Sequence, residues 1–102
     1  MTNERDELFE AAAGLERLAA AATGGDWRSG GLLATRPEVI AHFEGGATEH
    51  VAEARAKTAR WIAALSPAVA ASLVAWLRSA AQAEDVDPAA VQFARVLQAR
   101  LS

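Results

Sequence analysis

Alanine is the feature that most constrains this chain. It supplies 27 of the 102 residues, and 52% of the chain is apolar. Removing the alanines leaves 26 larger apolar residues, so half of the apolar content is methyl groups. Alanine is the best helix former and a poor strand former. A small, mainly helical domain follows, and an all-β sandwich does not. A disordered tail is also excluded, because such tails lack the Leu, Val and Trp found here. One domain is expected at this length. Twenty-six larger apolar side chains can fill one core but cannot also line a deep substrate cavity. We therefore expect no enzyme and no bulky cofactor.

The chain has no cysteine, so disulfides and thiolate metal sites are excluded. Net charge is −3, with 10 basic and 13 acidic residues. That balance gives no basic footprint for nucleic acid. The first ten residues carry Glu4, Asp6, Glu7 and Glu10, unlike a secretory leader. The most apolar stretch, Pro67 to Leu77, is about half of a membrane span. A soluble, intracellular chain without membrane contact is expected.

Helical periodicity covers most of the chain. Residues 3–22 place Leu8, Ala12, Leu15, Ala19 and Ala22 on one stripe, with Thr2 or Asn3 as cap and Gly24-Gly25 as stop. Residues 48–65 read as a second helix, with Val51, Ala54, Thr58, Trp61 and Leu65 on its stripe. Ser66-Pro67 ends it and opens a third, over 67–83, on which Val69, Leu73, Trp76, Leu77 and Ala80 share a face. Asp87-Pro88 opens a fourth, over 88–101, with Val91, Ala94, Leu97 and Leu101 inward. The third is apolar over most of its circumference. Such a helix is central in a core or lies at a subunit interface, so Leu73, Trp76 and Leu77 are candidate interface residues of a homodimer. Trp61 and Trp76 are expected in the core.

Residues 23–47 differ in kind. They hold six of the seven glycines, and the alanines thin out. Leu32-Leu33 and the run Val39 to Phe43 flank Arg36-Pro37-Glu38, which reads as a β-hairpin inserted between the first two helices. An irregular loop with one helical turn from Pro37 is the competing reading. An isolated hairpin is marginal in water, so this one must pack on helices or pair with another chain. Trp27, Arg28, Arg36, His42 and Phe43 gather here and are the candidate binding residues. Trp27 in particular suits a contact, since Trp anchors interfaces.

Two stretches carry a family likeness. They are Ala20-Ala21-Ala22-Thr23-Gly24-Gly25-Asp26-Trp27-Arg28 and Ala59-Arg60-Trp61-Ile62-Ala63-Ala64-Leu65-Ser66-Pro67-Ala68-Val69-Ala70. Together they resemble small accessory proteins of actinobacterial phages and prophages. Those proteins join an Ala-rich helix, a Trp/Gly segment and an Ile-Ala-Ala…Ser-Pro helix pair. Gly24 and Asp26 stand where that pattern usually has prolines. The family has no assigned activity, so no catalytic residue transfers. The resemblance implies a protein of the bacterial host cytoplasm that binds a host or phage protein, in host takeover or counter-defence.

Other chemistries find less support in the spacing. His42 and His50 with Glu38, Glu44, Glu49 and Glu53 lack the dense spacing of a metal site. Ser29 does not sit in a nucleophile elbow. The glycine pairs 24–25, 30–31 and 45–46, with Arg28 and Arg36, could cradle a nucleotide, yet no GK[ST] or GxGxxG accompanies them. Gln92, Arg95 and Gln98 could read bases as part of a helix-turn-helix, but Glu84, Asp85 and Asp87 would face the phosphates.

Overall fold

A computed structural model describes residues 3–30 and 37–101. It is mainly α. The elements run α1 (Glu4–Ala21), β1 (Asp26–Gly30), β2 (Glu38–His42), β3 (Thr48–Glu53), α2 (Ala56–Ala64), α3 (Pro67–Gln82) and α4 (Pro88–Leu101). The chain packs as two compact units, Met1–Leu18 with Ala70–Ser102, and Ala19–Val69.

In the first unit α1, α3 and α4 surround one core. Leu8, Ala11 and Ala12 come from α1, Val74, Leu77 and Ala81 from α3, and Ala90, Val91 and Ala94 from α4. Five of these nine are alanines, so most of the side chains that fill this core are small. Leu15, Val86, Phe93 and Leu97 pack around the edge. Trp76 also sits at that edge and packs tilted against Phe93, with ring centroids 5.4 Å apart. It is 43% exposed, and Phe9, Leu18 and Val96 are exposed as well. The inward face of α3 is therefore Ala70, Val74, Leu77 and Ala81, rotated from the stripe of Leu73 and Trp76 that the sequence suggests.

The ends of these helices follow from their caps. The Asn3 side chain accepts from the Asp6 amide at 2.8 Å. The Asp87 carboxylate accepts from the Ala89 amide at 2.9 Å, with Pro88 at the first helical position. The end of α3 is closed from a distance in sequence. The Arg5 guanidinium donates to the carbonyls of Ala81 and Ala83, each at 2.6 Å, and of Glu84 at 3.0 Å. One cation thus satisfies a carbonyl of the last turn of α3 and two more just past its end. Two ion pairs tie α1 to its neighbours, Glu16 to Arg78 on α3 and Glu7 to Arg95 on α4. Glu7 meets Arg95 while Gly14 lies against Leu101, so α1 and α4 run in the same direction.

The second unit is a three-stranded antiparallel sheet, ordered β1-β2-β3, with α2 against β1 and β2. Val39 and Ala41 of β2 and Ala59 of α2 are fully buried. The register pairs Trp27 with Ala41 and Ser29 with Val39. Trp27 therefore shares the α2-facing side, and Arg28, Ile40 and His42 point the other way. Pairing slips between Val39–Ala52 and Ile40–His50, which leaves Val51 as a bulge in β3. The turn from β2 to β3 uses Gly45 and Gly46 at φ 87° and 89°, closed by the Phe43 amide donating to Ala47.

Two expectations are corrected here. The insert is a three-stranded sheet rather than a hairpin, and its first strand is Asp26–Gly30. Leu32 and Leu33 lie outside the described residues. The helix expected over 48–65 begins only at Ala56, because residues 48–53 extend the sheet as β3. Thr48 is thus a strand residue and not a cap. The later start also turns the helix. Its buried side is Ala59, with Ile62 and Ala63 half-buried, and Trp61 faces outward.

Candidate functional site

The residues singled out in the insert do not converge on one surface. Trp27 is half-buried, and its indole N–H donates to the carbonyls of Thr23 and Gly24 at 3.0 and 3.2 Å. The ring is held by the chain that leads into its own strand. Phe43 lies against Gly25, where an added Cβ would stand 3.1 Å from the ring. Both aromatics therefore brace the end of the sheet. Arg28 is exposed on the opposite face and pairs with its neighbour Asp26 at 2.8 Å. His42 is half-buried at the end of β2, between Asp26 and Thr48 in the register. Arg36 lies outside the described residues, so the glycine-arginine cradle is not assembled by what is described.

The histidines have different settings. His50 Nδ1 lies 2.8 Å from the Glu38 carboxylate across β2 and β3. This pair is exposed and joins neighbouring strands. No group of three or more His, Cys, Asp or Glu that could hold a metal occurs among the described residues. Arg95, placed in the sequence as a base reader, is engaged by Glu7 within the helical unit.

The three candidate interface residues also part company. Leu77 is fully buried in the core of its own unit. Leu73 is half-buried and Trp76 is partly exposed beside Phe93. Of the three, Trp76 alone offers an exposed large side chain.

A different surface stands out, and it lies on α2. Trp61 is 69% exposed and Leu65, at the end of the helix, 56%. Lys57, Arg60 and Ala64 are exposed beside them. At 100° per residue, Lys57, Trp61 and Ala64 fall on one face opposite Ala59, with Arg60 and Leu65 at its margins. The face is a tryptophan and a leucine with two cations, Lys57 and Arg60, along one side. Arg55, at the start of the helix, adds a third cation. Arg5, Arg28, Arg78 and Arg95 all have partners within the chain. Arg55, Lys57 and Arg60 have no ion-pair partner among the described residues. Sequence reading missed this face because a helix drawn from Thr48 turned Trp61 inward. The signal was present in the spacing Lys57, Trp61, Leu65, once the helix was started after Glu53.

The first unit carries an open groove of about 590 Å³ lined by Gly14, Arg17, Leu18, Gln98 and Leu101. Its floor is formed where Gly14 lets Leu101 approach α1, with an added Cβ 3.0 Å from the leucine Cδ1. No single helix among the described residues is long and apolar enough to cross a membrane. Comparisons with family models, with curated proteins and with solved structures return no match to this chain.

Proposed function

We propose that this protein works by binding protein surfaces, without catalysis, and that the outward face of α2 makes the contact. The observation that carries this reading is the exposure of Trp61 and Leu65 with the cations Lys57 and Arg60 beside them. Exposed large apolar side chains cost solvation free energy, roughly 25 cal/mol for each Å² left in water. Tryptophan and arginine are also the side chains most enriched at the centres of protein interfaces. The small-residue core supports the same reading, since it leaves several larger side chains outside. The resemblance to small phage and prophage accessory proteins would place such binding in host takeover or counter-defence.

A photocrosslinking amino acid in place of Trp61 tests this in cells. The expected result is covalent adducts to protein at position 61 and few at the exposed control position Asp85. Equal labelling at the two positions, or none at 61, would overturn the assignment to α2.

A further inference from the structure

The cations on α2 have a counterpart elsewhere in the chain. The outward side of α1 carries Asp6 and Glu10, both exposed, with Phe9 40% exposed beside them, and Glu4 is exposed at the helix start. Glu7 and Glu16 of the same helix are engaged by Arg95 and Arg78. Glu4, Asp6 and Glu10 have no ion-pair partner among the described residues. The chain thus presents two unpaired acids, Asp6 and Glu10, beside an exposed phenylalanine and two unpaired bases, Lys57 and Arg60, beside an exposed tryptophan.

The spacings match. On α1 the acids Asp6 and Glu10 are four residues apart with Phe9 beside them. On α2 the bases Lys57 and Arg60 are three apart with Trp61 beside them. Each face spans about one helical turn, roughly 5 Å. Helix electrostatics point the same way. The first turn of α2 has no acidic residue, so Arg55 and Lys57 stand at the positive end of the helix dipole. An acidic surface laid there relieves that repulsion.

We propose that the occupant of the α2 face is a second copy of this chain, its α1 surface of Asp6, Phe9 and Glu10 meeting Lys57, Arg60 and Trp61. This rests on the protein-binding reading above and names the partner. The aromatic pair supplies the apolar contact, and the charges set register and exclude the like-with-like arrangements α1–α1 and α2–α2.

Sedimentation velocity with charge reversal tests it. The wild-type chain is expected to sediment as a dimer of the 10.7 kDa chain at micromolar concentration, and less so in high salt. K57E/R60E and D6K/E10K are each expected to weaken association about tenfold or more. The quadruple variant K57E/R60E/D6K/E10K restores both the contact and the net charge, and is expected to recover most of the loss. All four substituted side chains are on exposed helix positions, and far-UV circular dichroism checks that each variant folds. A wild-type monomer at every concentration and salt overturns the proposal, as does a quadruple variant no better than the doubles. A monomer that instead co-sediments with phosphatidylserine vesicles overturns it in favour of a lipid surface. Adducts at position 61 to some other protein, with a monomeric wild type, would sink the second-copy assignment and leave the protein-binding reading standing.

Discussion

Leu77→Ala is expected to lower the unfolding free energy by about 2–5 kcal/mol, the range for deleting a fully buried leucine. Leu77 is fully buried and is one of two leucines in a nine-residue core otherwise built of alanine and valine. Its neighbours cannot fill the void. Alanine has no rotamers to rearrange, so it cannot reach into the space that Leu77 leaves. The cost should therefore lie toward the upper part of the range. Thermal unfolding followed at 222 nm should show a midpoint lower by on the order of 10 °C or more. A loss under about 1 kcal/mol, typical of surface substitutions, would mean that α3 does not bury Leu77 in this core.

Gly25→Ala is the second large effect, and it is best read as one of three. Gly25 has φ +83°, and an added Cβ would stand 3.0 Å from the His42 carbonyl oxygen and 3.1 Å from the Phe43 ring. The left-handed conformation alone costs an L-residue about 1–2 kcal/mol. The clash with backbone adds to it, because a carbonyl held in the sheet cannot swing away as a side chain can. Gly45 has φ +87° with nothing within 4 Å, so Gly45→Ala should carry the backbone cost alone. Gly24 has neither constraint, and Gly24→Ala should be neutral or stabilising by a few tenths of a kcal/mol through the unfolded chain. Urea denaturation of the three variants should rank Gly25→Ala below Gly45→Ala, and both below Gly24→Ala. Equal stabilities at 24 and 25 would remove the tight approach of Phe43 to the end of β1.

Much of the helical unit was legible because its punctuation is chemical. Asn3 caps α1, Asp87 and Pro88 open α4, and the break at Ser66-Pro67 separates α2 from α3. These residues act within a few positions of themselves, so a linear reading finds them. What it could not find acts across the chain. Arg5 closes α3 from about eighty residues away. Nothing in the run Glu4-Arg5-Asp6 distinguishes that arginine from a solvated one.

The sheet shows the other limit. Residues 48–53, Thr-Glu-His-Val-Ala-Glu, form an edge strand whose side chains are exposed or half-buried. No buried face means no alternation of apolar and polar residues, and Ala52 with two glutamates suits a helix as well as a strand. Only pairing with β2 makes this segment extended. That one boundary then set the phase of everything read on α2. A helix drawn from Thr48 puts Trp61 inward, whereas a helix from Ala56 buries Ala59 and turns Trp61 out. In α3 the abundance of apolar residues gave the stripe several nearly equal phases. The structure chooses the one that packs small residues together, leaving Trp76 at the edge.

The candidate site followed from that choice of phase. The glycine-rich insert drew attention through its composition, yet Trp27 and Phe43 serve the sheet and Arg28 is paired locally. The alanine-rich helices looked like scaffold, and one of them carries the exposed tryptophan. The buried positions go mostly to small residues, and larger side chains such as Trp61 and Trp76 lie at the surface.

Acrylamide quenching of Trp61 in a Trp27→Phe/Trp76→Phe chain tests this most directly, because only one fluorophore remains. In dilute solution the indole should be quenched nearly as readily as free tryptophan. As concentration rises into the range where sedimentation shows a dimer, the quenching constant should fall. An indole already protected in the dilute monomer, or one quenched equally at every concentration while the chain associates, would contradict the account of α2 as the binding face.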